Sequence, residues 1–276
     1  MRHTLEQIGA VWLPTTVPPV ATRLERAGWV PDEPGRVCPR CGLSVGPFEA
    51  DADGCPACRD SRFPWQRLIR LGPYDGELRE AVLDFKFSPW RRVGSDLGRL
   101  LGERVREQAG RIEPNAPIVV VPVPTTVRRR LGRGIDHALV LARGVASASG
   151  GRVRTMVGRE HRRSQVSVAP SERGRNVARA FRARRGLGRR AERASRPVIV
   201  VVDDVLTTGA TLRGVCRAVG ARLRREGTPA VVWSAVACVS QPGRDRATGD
   251  GAANDPAGPP AIAADRAGLG KERAEN

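Results

Sequence analysis

The sequence predicts an α/β protein: a parallel β-sheet flanked by helices over residues 67–240, preceded by a small zinc-ribbon-like four-cysteine module within residues 1–66. Three observations carry this expectation. Ile118–Val123 and Val198–Val202 are short apolar runs rich in β-branched residues, and they alternate with helical stripes, the pattern of parallel strands covered on both faces. Two C-x2-C pairs stand ahead of them. The chain has 276 residues, of which 40% are hydrophobic and 28% charged. That is enough for a buried core, and it argues against a largely disordered or fibrous chain.

Residues 1–66 are rich in Pro and Gly with little periodicity, so they cannot build much core and should depend on a metal to fold. Cys38-Pro39-Arg40-Cys41 and Cys55-Pro56-Ala57-Cys58 are separated by 13 residues. Four thiolates at this spacing suit one tetrahedral Zn²⁺, and a full set of four Cys ligands leaves no open coordination position, which predicts a structural ion. Gly42 leaves room for amide groups to turn toward sulfur. A redox C-x-x-C or a pair of disulfides fits less well, because two matched pairs in a cytosolic chain favour metal.

Helical stripes follow at Leu78, Ala81, Val82 and Phe85; at Leu97, Leu100, Leu101 and Val105; at Ala138, Leu139, Ala142 and Val145; and at Leu212, Val215, Val219 and Leu223. Ala230–Cys238 reads as another buried strand, and Cys216 and Cys238 as small core hydrophobes. Residues 241–276 lack periodicity and read as a disordered tail. No apolar run approaches ~18 residues, so no transmembrane helix or membrane insertion is expected. The stretch Ile8–Leu13 follows Glu6 and stops at Pro14, a poor signal peptide. A cytoplasmic protein is the expectation.

The net charge of +18 is unevenly placed: residues 128–196 hold 20 Arg against 4 acids, net +16. Arg suits phosphate because its planar fork binds two oxygens at once. The partner is then a phosphorylated small molecule or a nucleic-acid backbone, set against the plainer reading of a solvated basic face. Aromatic residues are nearly absent from this segment, where Phe181 stands alone, so base-stacking platforms are not evident.

The sharpest motif is the run from Val198 to Thr211, in which a buried strand leads into Asp203-Asp204 and then Thr207-Thr208-Gly209-Ala210-Thr211. Backbone N–H groups of residues 207–211, at a helix N-terminus, would cradle an anion, with Thr hydroxyls as further donors. Gly209 lets the main chain approach a phosphate closely. Asp203 and Asp204 are acceptors suited to the two hydroxyls of a ribose. Both carboxylates serve only if the strand has ended there; otherwise one faces the ligand and the other orients the loop. An acidic strand end also occurs in nucleotide hydrolases, but the chain has no G-x-x-x-x-G-K-[ST], and no G-x-G-x-x-G follows the first core strand.

At these residues the chain resembles the type I phosphoribosyltransferases, and among them the ComF family of competence-associated proteins. The similarity covers the Cys pairs and most of residues 67–240. It includes Tyr74-Asp75-Gly76, Leu78-Arg79, Phe85-Lys86-Phe87, Val121-Pro122-Val123-Pro124, Arg133-Gly134, Gln165, Arg173-Gly174-Arg175-Asn176 and Phe181. The resemblance implies a type I phosphoribosyltransferase-like sheet, a flexible loop over the site, and Mg²⁺ carried with the donor 5-phosphoribosyl-1-diphosphate. It places a diphosphate loop at Pro122, Val123 and Pro124 with Arg128, Arg129 and Arg130, and a mobile loop at Arg162, Arg163, Gln165, Arg173 and Asn176. The +16 segment would then meet a polyanionic donor.

Where the family form reads Arg-Gly-Phe-Asn-Gln, this chain has Arg133-Gly134-Ile135-Asp136-His137. The resemblance leaves two functions in view: a phosphoribosyltransferase with an unknown acceptor, no residue standing out as its catalytic base, and a non-catalytic module in ligand sensing or in single-stranded DNA binding and uptake.

Overall fold

A computed structural model describes residues 18–33, 35–87, 91–125, 136–159, 180–183 and 196–241. The Val-rich runs become adjacent parallel strands. β1 (Arg67–Pro73) precedes helices α2 (Gly76–Phe87) and α3 (Arg91–Ile112), which follow a short α1 (Val20–Arg26). Then come β2 (Ile118–Pro122), α4 (His137–Ser149) and β3 (Arg152–Val153). β4 (Val157–Arg159) and β5 (Phe181–Ala183) form a separate antiparallel pair. β6 (Val198–Leu206), α5 (Ala210–Arg225) and β7 (Val231–Val239) complete the described elements. The main sheet is parallel throughout, in the order β1-β7-β6-β2-β3.

Every residue of β7 is buried, as a strand covered on both faces requires. Val198, Val200 and Val202 pack with α3 and α4 on one face, whereas Ile199 and Val201 pack with α5 on the other. The α2 and α5 stripes are buried as expected. In α4, Leu141 takes the core place expected for Leu139, which is only partly buried. Helices α3 and α4 meet backbone to backbone: a Cβ on Gly98 would lie 2.9 Å from the Cα of Gly144.

Three findings differ from the sequence reading. β6 does not stop at Val202 but runs through Asp203 and Asp204 to Leu206. β1 is a strand the sequence pattern does not show, because Arg67 and Arg70 interrupt its apolar run. The side chain of Arg70 is only 1% exposed; its Nε donates to Asp32 Oδ2 at 3.0 Å and its Nη2 to Ser44 Oγ at 2.7 Å. Such partners are what make a buried charge tolerable. α1 is likewise absent from the sequence reading; Val20 and Leu24 are buried, and Arg23 bonds Glu77 and Asp84 of α2.

Met1–Pro242 form one unit and Gly243–Asn276 a second, the latter outside the described residues, as is the expected tail beyond Gln241. Among the described residues no helix is long and apolar enough to cross a membrane.

Candidate functional site

The connectivity places a topological switch point between β2 and β6. From β2 the chain crosses through α4 to β3 on one side; from β6 it crosses through α5 to β7 on the other. α4 lies on one face of the sheet and α5 on the opposite face. In open α/β sheets, ligands bind outside the strand carboxyl ends where crossovers diverge in this way. Asp203–Gly209 emerges there from β6, and Pro122, Val123 and Pro124 from β2.

Because β6 continues through the acidic pair, its two carboxylates point to opposite faces. Asp203 helps line a concavity of about 60 Å³ completed by residues 205–212. Asp204 turns toward α2, where its Oδ2 lies 3.3 Å from Lys86 Nζ. The pair is stiffened locally: Asp203 Oδ1 accepts from Asp204 N at 3.0 Å, and Asp204 Oδ1 accepts from Val205 N at 2.7 Å. The expectation that both acids clear the strand end therefore gives way to its alternative, one carboxylate toward the loop and one elsewhere.

Thr207 and Thr208 are exposed, and Gly209 takes a left-handed φ of 71° as the N-cap of α5. That conformation suits glycine, which has no side chain with which to cap the N-terminal amides. Ala210 N donates to Thr208 Oγ1 at 3.4 Å. A curled Thr/Gly turn at a 16-residue helix N-terminus thus stands beside the Asp203 carboxylate. It can accept an anion on amides and hydroxyls while the carboxylate accepts from neighbouring hydroxyls. Thr211 and Ala210 occupy the first helical turn.

The departure at Asp136-His137 has a structural explanation. Asp136 is the N-cap of α4, its Oδ1 accepting from Leu139 N at 3.2 Å and from Thr125 Oγ1 at 3.4 Å. Asp and Asn cap about equally well, so the exchange keeps the helix start. His137 is buried edge-on against Phe85, with ring centroids 4.9 Å apart. Arg128, Arg129 and Arg130 lie outside the described residues, as do Arg162, Arg163, Gln165, Arg173 and Asn176.

Lys86 is the residue that sequence reasoning left outside the site. Its signal was its place in the Phe85-Lys86-Phe87 segment, and it is one of only two lysines among 47 basic residues; its Nζ stands at the acidic pair.

The four cysteines converge. Cys38, Cys41, Cys55 and Cys58 are buried, with their sulfurs all within 4.8 Å of one another. Cys38–Cys58 and Cys41–Cys55 are 3.6 Å apart and Cys55–Cys58 3.8 Å. These match the roughly 3.8 Å edge of a tetrahedron with ~2.3 Å Zn–S bonds. The thiol hydrogen bond between Cys41 and Cys38 pushes Cys38 down and Cys41 up, and burial pushes Cys58 up. Four neighbouring thiolates need a cation, so the donor set fits Zn²⁺.

No protein-family model matches the chain. It is 29% identical over 206 residues to the DNA utilization protein YhgH of Escherichia coli K12, covering 71% of this chain and 82% of that one. The Salmonella typhi protein of the same name is 28% identical over 208 residues with the same coverage. Competence protein F of Haemophilus influenzae is 26% identical over 181 residues, 65% of this chain and 77% of that one. The chain is thus similar to curated proteins named for DNA utilization and for competence. Among solved structures, glutamine phosphoribosylpyrophosphate amidotransferase from B. subtilis overlaps 56% of this chain and 30% of its own, with 16% identity and a TM-score of 0.33. A Staphylococcus aureus hypoxanthine phosphoribosyltransferase overlaps 54% and 66%, with 12% identity and a TM-score of 0.30.

Proposed function

We propose that this ComF-type chain binds 5-phosphoribosyl-1-diphosphate at the β2/β6 switch point and transfers its phosphoribosyl group to an acceptor. The carrying observation is the Thr/Gly turn at the α5 N-terminus beside the Asp203 carboxylate. In this reading the 5′-phosphate sits on the amides of residues 207–211 with the Thr207 and Thr208 hydroxyls. Asp203 accepts from the ribose diol, and Asp204 holds Lys86 at the rim. Pro122–Arg130 would meet the diphosphate, and the 159–181 segment would cover it.

The chemistry breaks the C1–O bond, with the electron pair leaving on diphosphate, and forms a bond from C1 to the acceptor. Arg side chains stabilise the departing charge, and a closed cover excludes water. Carboxylate oxygen is the hard donor Mg²⁺ prefers, so Asp203 fits an ion that arrives with the donor. Mg²⁺ would neutralise diphosphate charge. Zn²⁺ in the Cys38/Cys41/Cys55/Cys58 site would be structural, all four positions being sulfur. A cytoplasmic location is part of this proposal.

The names of the relatives favour a second reading, a non-catalytic module that engages single-stranded DNA during uptake. Calorimetric titration of the donor with and without Mg²⁺, followed by turnover assays over nucleobase and amine acceptors, separates the two. Mg²⁺-dependent binding with turnover supports transfer. Binding without turnover favours the module, and no binding at all overturns the donor assignment.

A further inference from the structure

The four-cysteine segment reaches the two flanks of the ribose-phosphate turn. On the first side, Arg40, inside the first Cys pair, places its guanidinium carbon 5.5 Å from the Phe63 ring centroid. The same ring lies 4.9 Å from the guanidinium carbon of Arg213, in the first turn of α5. Arg213 Nε is buried without a hydrogen-bond partner, so the ring is the contact that holds this edge of the guanidinium. The backbone N of Arg213 donates to Gly209 O at 2.8 Å, tying it to the left-handed residue of the turn.

On the second side, Gly42 packs so closely that an added Cβ would overlap Leu68 and lie 3.1 Å from Val239 Cγ2. The next residue after Val239, Ser240, donates its N–H to Leu206 O at 2.9 Å, at the start of the turn. Apolar packing runs the same way. Leu43 and Phe63 pack against the buried cysteines and also against the sheet-face cluster containing Leu206 and Leu212. Residues 207–211 are thus suspended between two anchors, Leu206 and Arg213, that both lead to the four-cysteine segment.

We infer that Phe63 and Gly42 are positioning residues for the ribose-phosphate turn, and that the four-cysteine module braces the two flanks of that turn rather than standing as a separate appendage. This rests on reading 207–211 as the ribose-phosphate site. A cation over an aromatic face is worth about 0.5–2 kcal/mol, so removing the ring should weaken ribose-5-phosphate about twofold to thirtyfold.

The test uses the full chain with its metal: wild type, Phe63→Leu and Phe63→Tyr, after confirming equal metal content. Hydrogen exchange over 205–213 and calorimetric titration of ribose-5-phosphate and free diphosphate are measured on each. The expected result is faster exchange at 205–213 in Phe63→Leu, with ribose-5-phosphate weakened, diphosphate unchanged, and both effects restored in Phe63→Tyr. Unchanged exchange at 205–213 overturns the inference, as does a uniform rise across the chain. If wild type fails to bind ribose-5-phosphate, the proposed function falls, while the exchange comparison still decides whether the module holds the turn.

Discussion

Lys86 Nζ stands 3.3 Å from Asp204 Oδ2, joining the C-terminal end of α2 to the strand that carries the acidic pair. Both side chains are about three-quarters buried, so the pair is less screened than a surface bridge. It leaves Asp203 as the carboxylate turned to the loop concavity.

Lys86→Met should therefore cost about 0.5–1 kcal/mol of stability and weaken binding of the polyanionic donor, whereas Lys86→Arg should retain most of that affinity. Titration at low and high salt checks this. The Lys86→Met deficit should shrink at high salt, since it is a loss of charge.

Gly209→Ala tests the turn itself. A non-glycine residue at φ 71° is strained, and the new Cβ would lie 3.2 Å from Leu206 Cδ1. The left-handed conformation costs roughly 1–2 kcal/mol. Thermal unfolding should show a loss of that size, with weaker ribose-5-phosphate binding. An unchanged midpoint would mean that the turn relaxes freely.

The thiols give a metal test. In native protein at neutral pH, Cys38, Cys41, Cys55 and Cys58 should resist thiol reagents and become reactive when a chelator removes zinc, with four thiols released per ion. Cys216, fully buried, is pushed up to about 12 by burial, and Cys238 is also pushed up by burial. Both should stay unreactive in folded protein. A raised folded value favours the neutral thiol, so this contribution to stability is complete below the unfolded value of about 8.5 and is lost as pH rises toward 12. Denaturant midpoints should accordingly fall across pH 9 to 12, and fall less in Cys216→Ala.

Most of the architecture was legible because parallel strands covered on both faces must be apolar, as Ile118–Pro122, Val198–Val202 and Val231–Val239 are. β1 was not, since its Arg70 is made tolerable by Asp32 and Ser44, partners 38 and 26 residues away that no local pattern reveals. The four-cysteine cluster was legible from spacing alone, because the ligands come as two tight pairs. The division of labour between Asp203 and Asp204 was legible only as a condition, since it depends on where β6 ends. Phe63 belongs to no motif and Lys86 only to a segment distant in sequence from the turn; their contacts with Arg213 and Asp204 come from the packing of the four-cysteine segment beside α5 and of α2 over the sheet end.

The central claim is that the Thr/Gly turn and Asp203 hold a sugar phosphate. The most direct measurement is calorimetric titration of ribose-5-phosphate and free diphosphate into wild type, Thr208→Val and Asp203→Asn. Hydrogen bonds to charged groups are worth about 1.5–3 kcal/mol, so each variant should lose about tenfold or more in ribose-5-phosphate affinity. Thr208→Val should leave diphosphate unaffected. If both variants bind ribose-5-phosphate as wild type does and lose affinity for single-stranded DNA instead, the sugar-phosphate assignment is wrong.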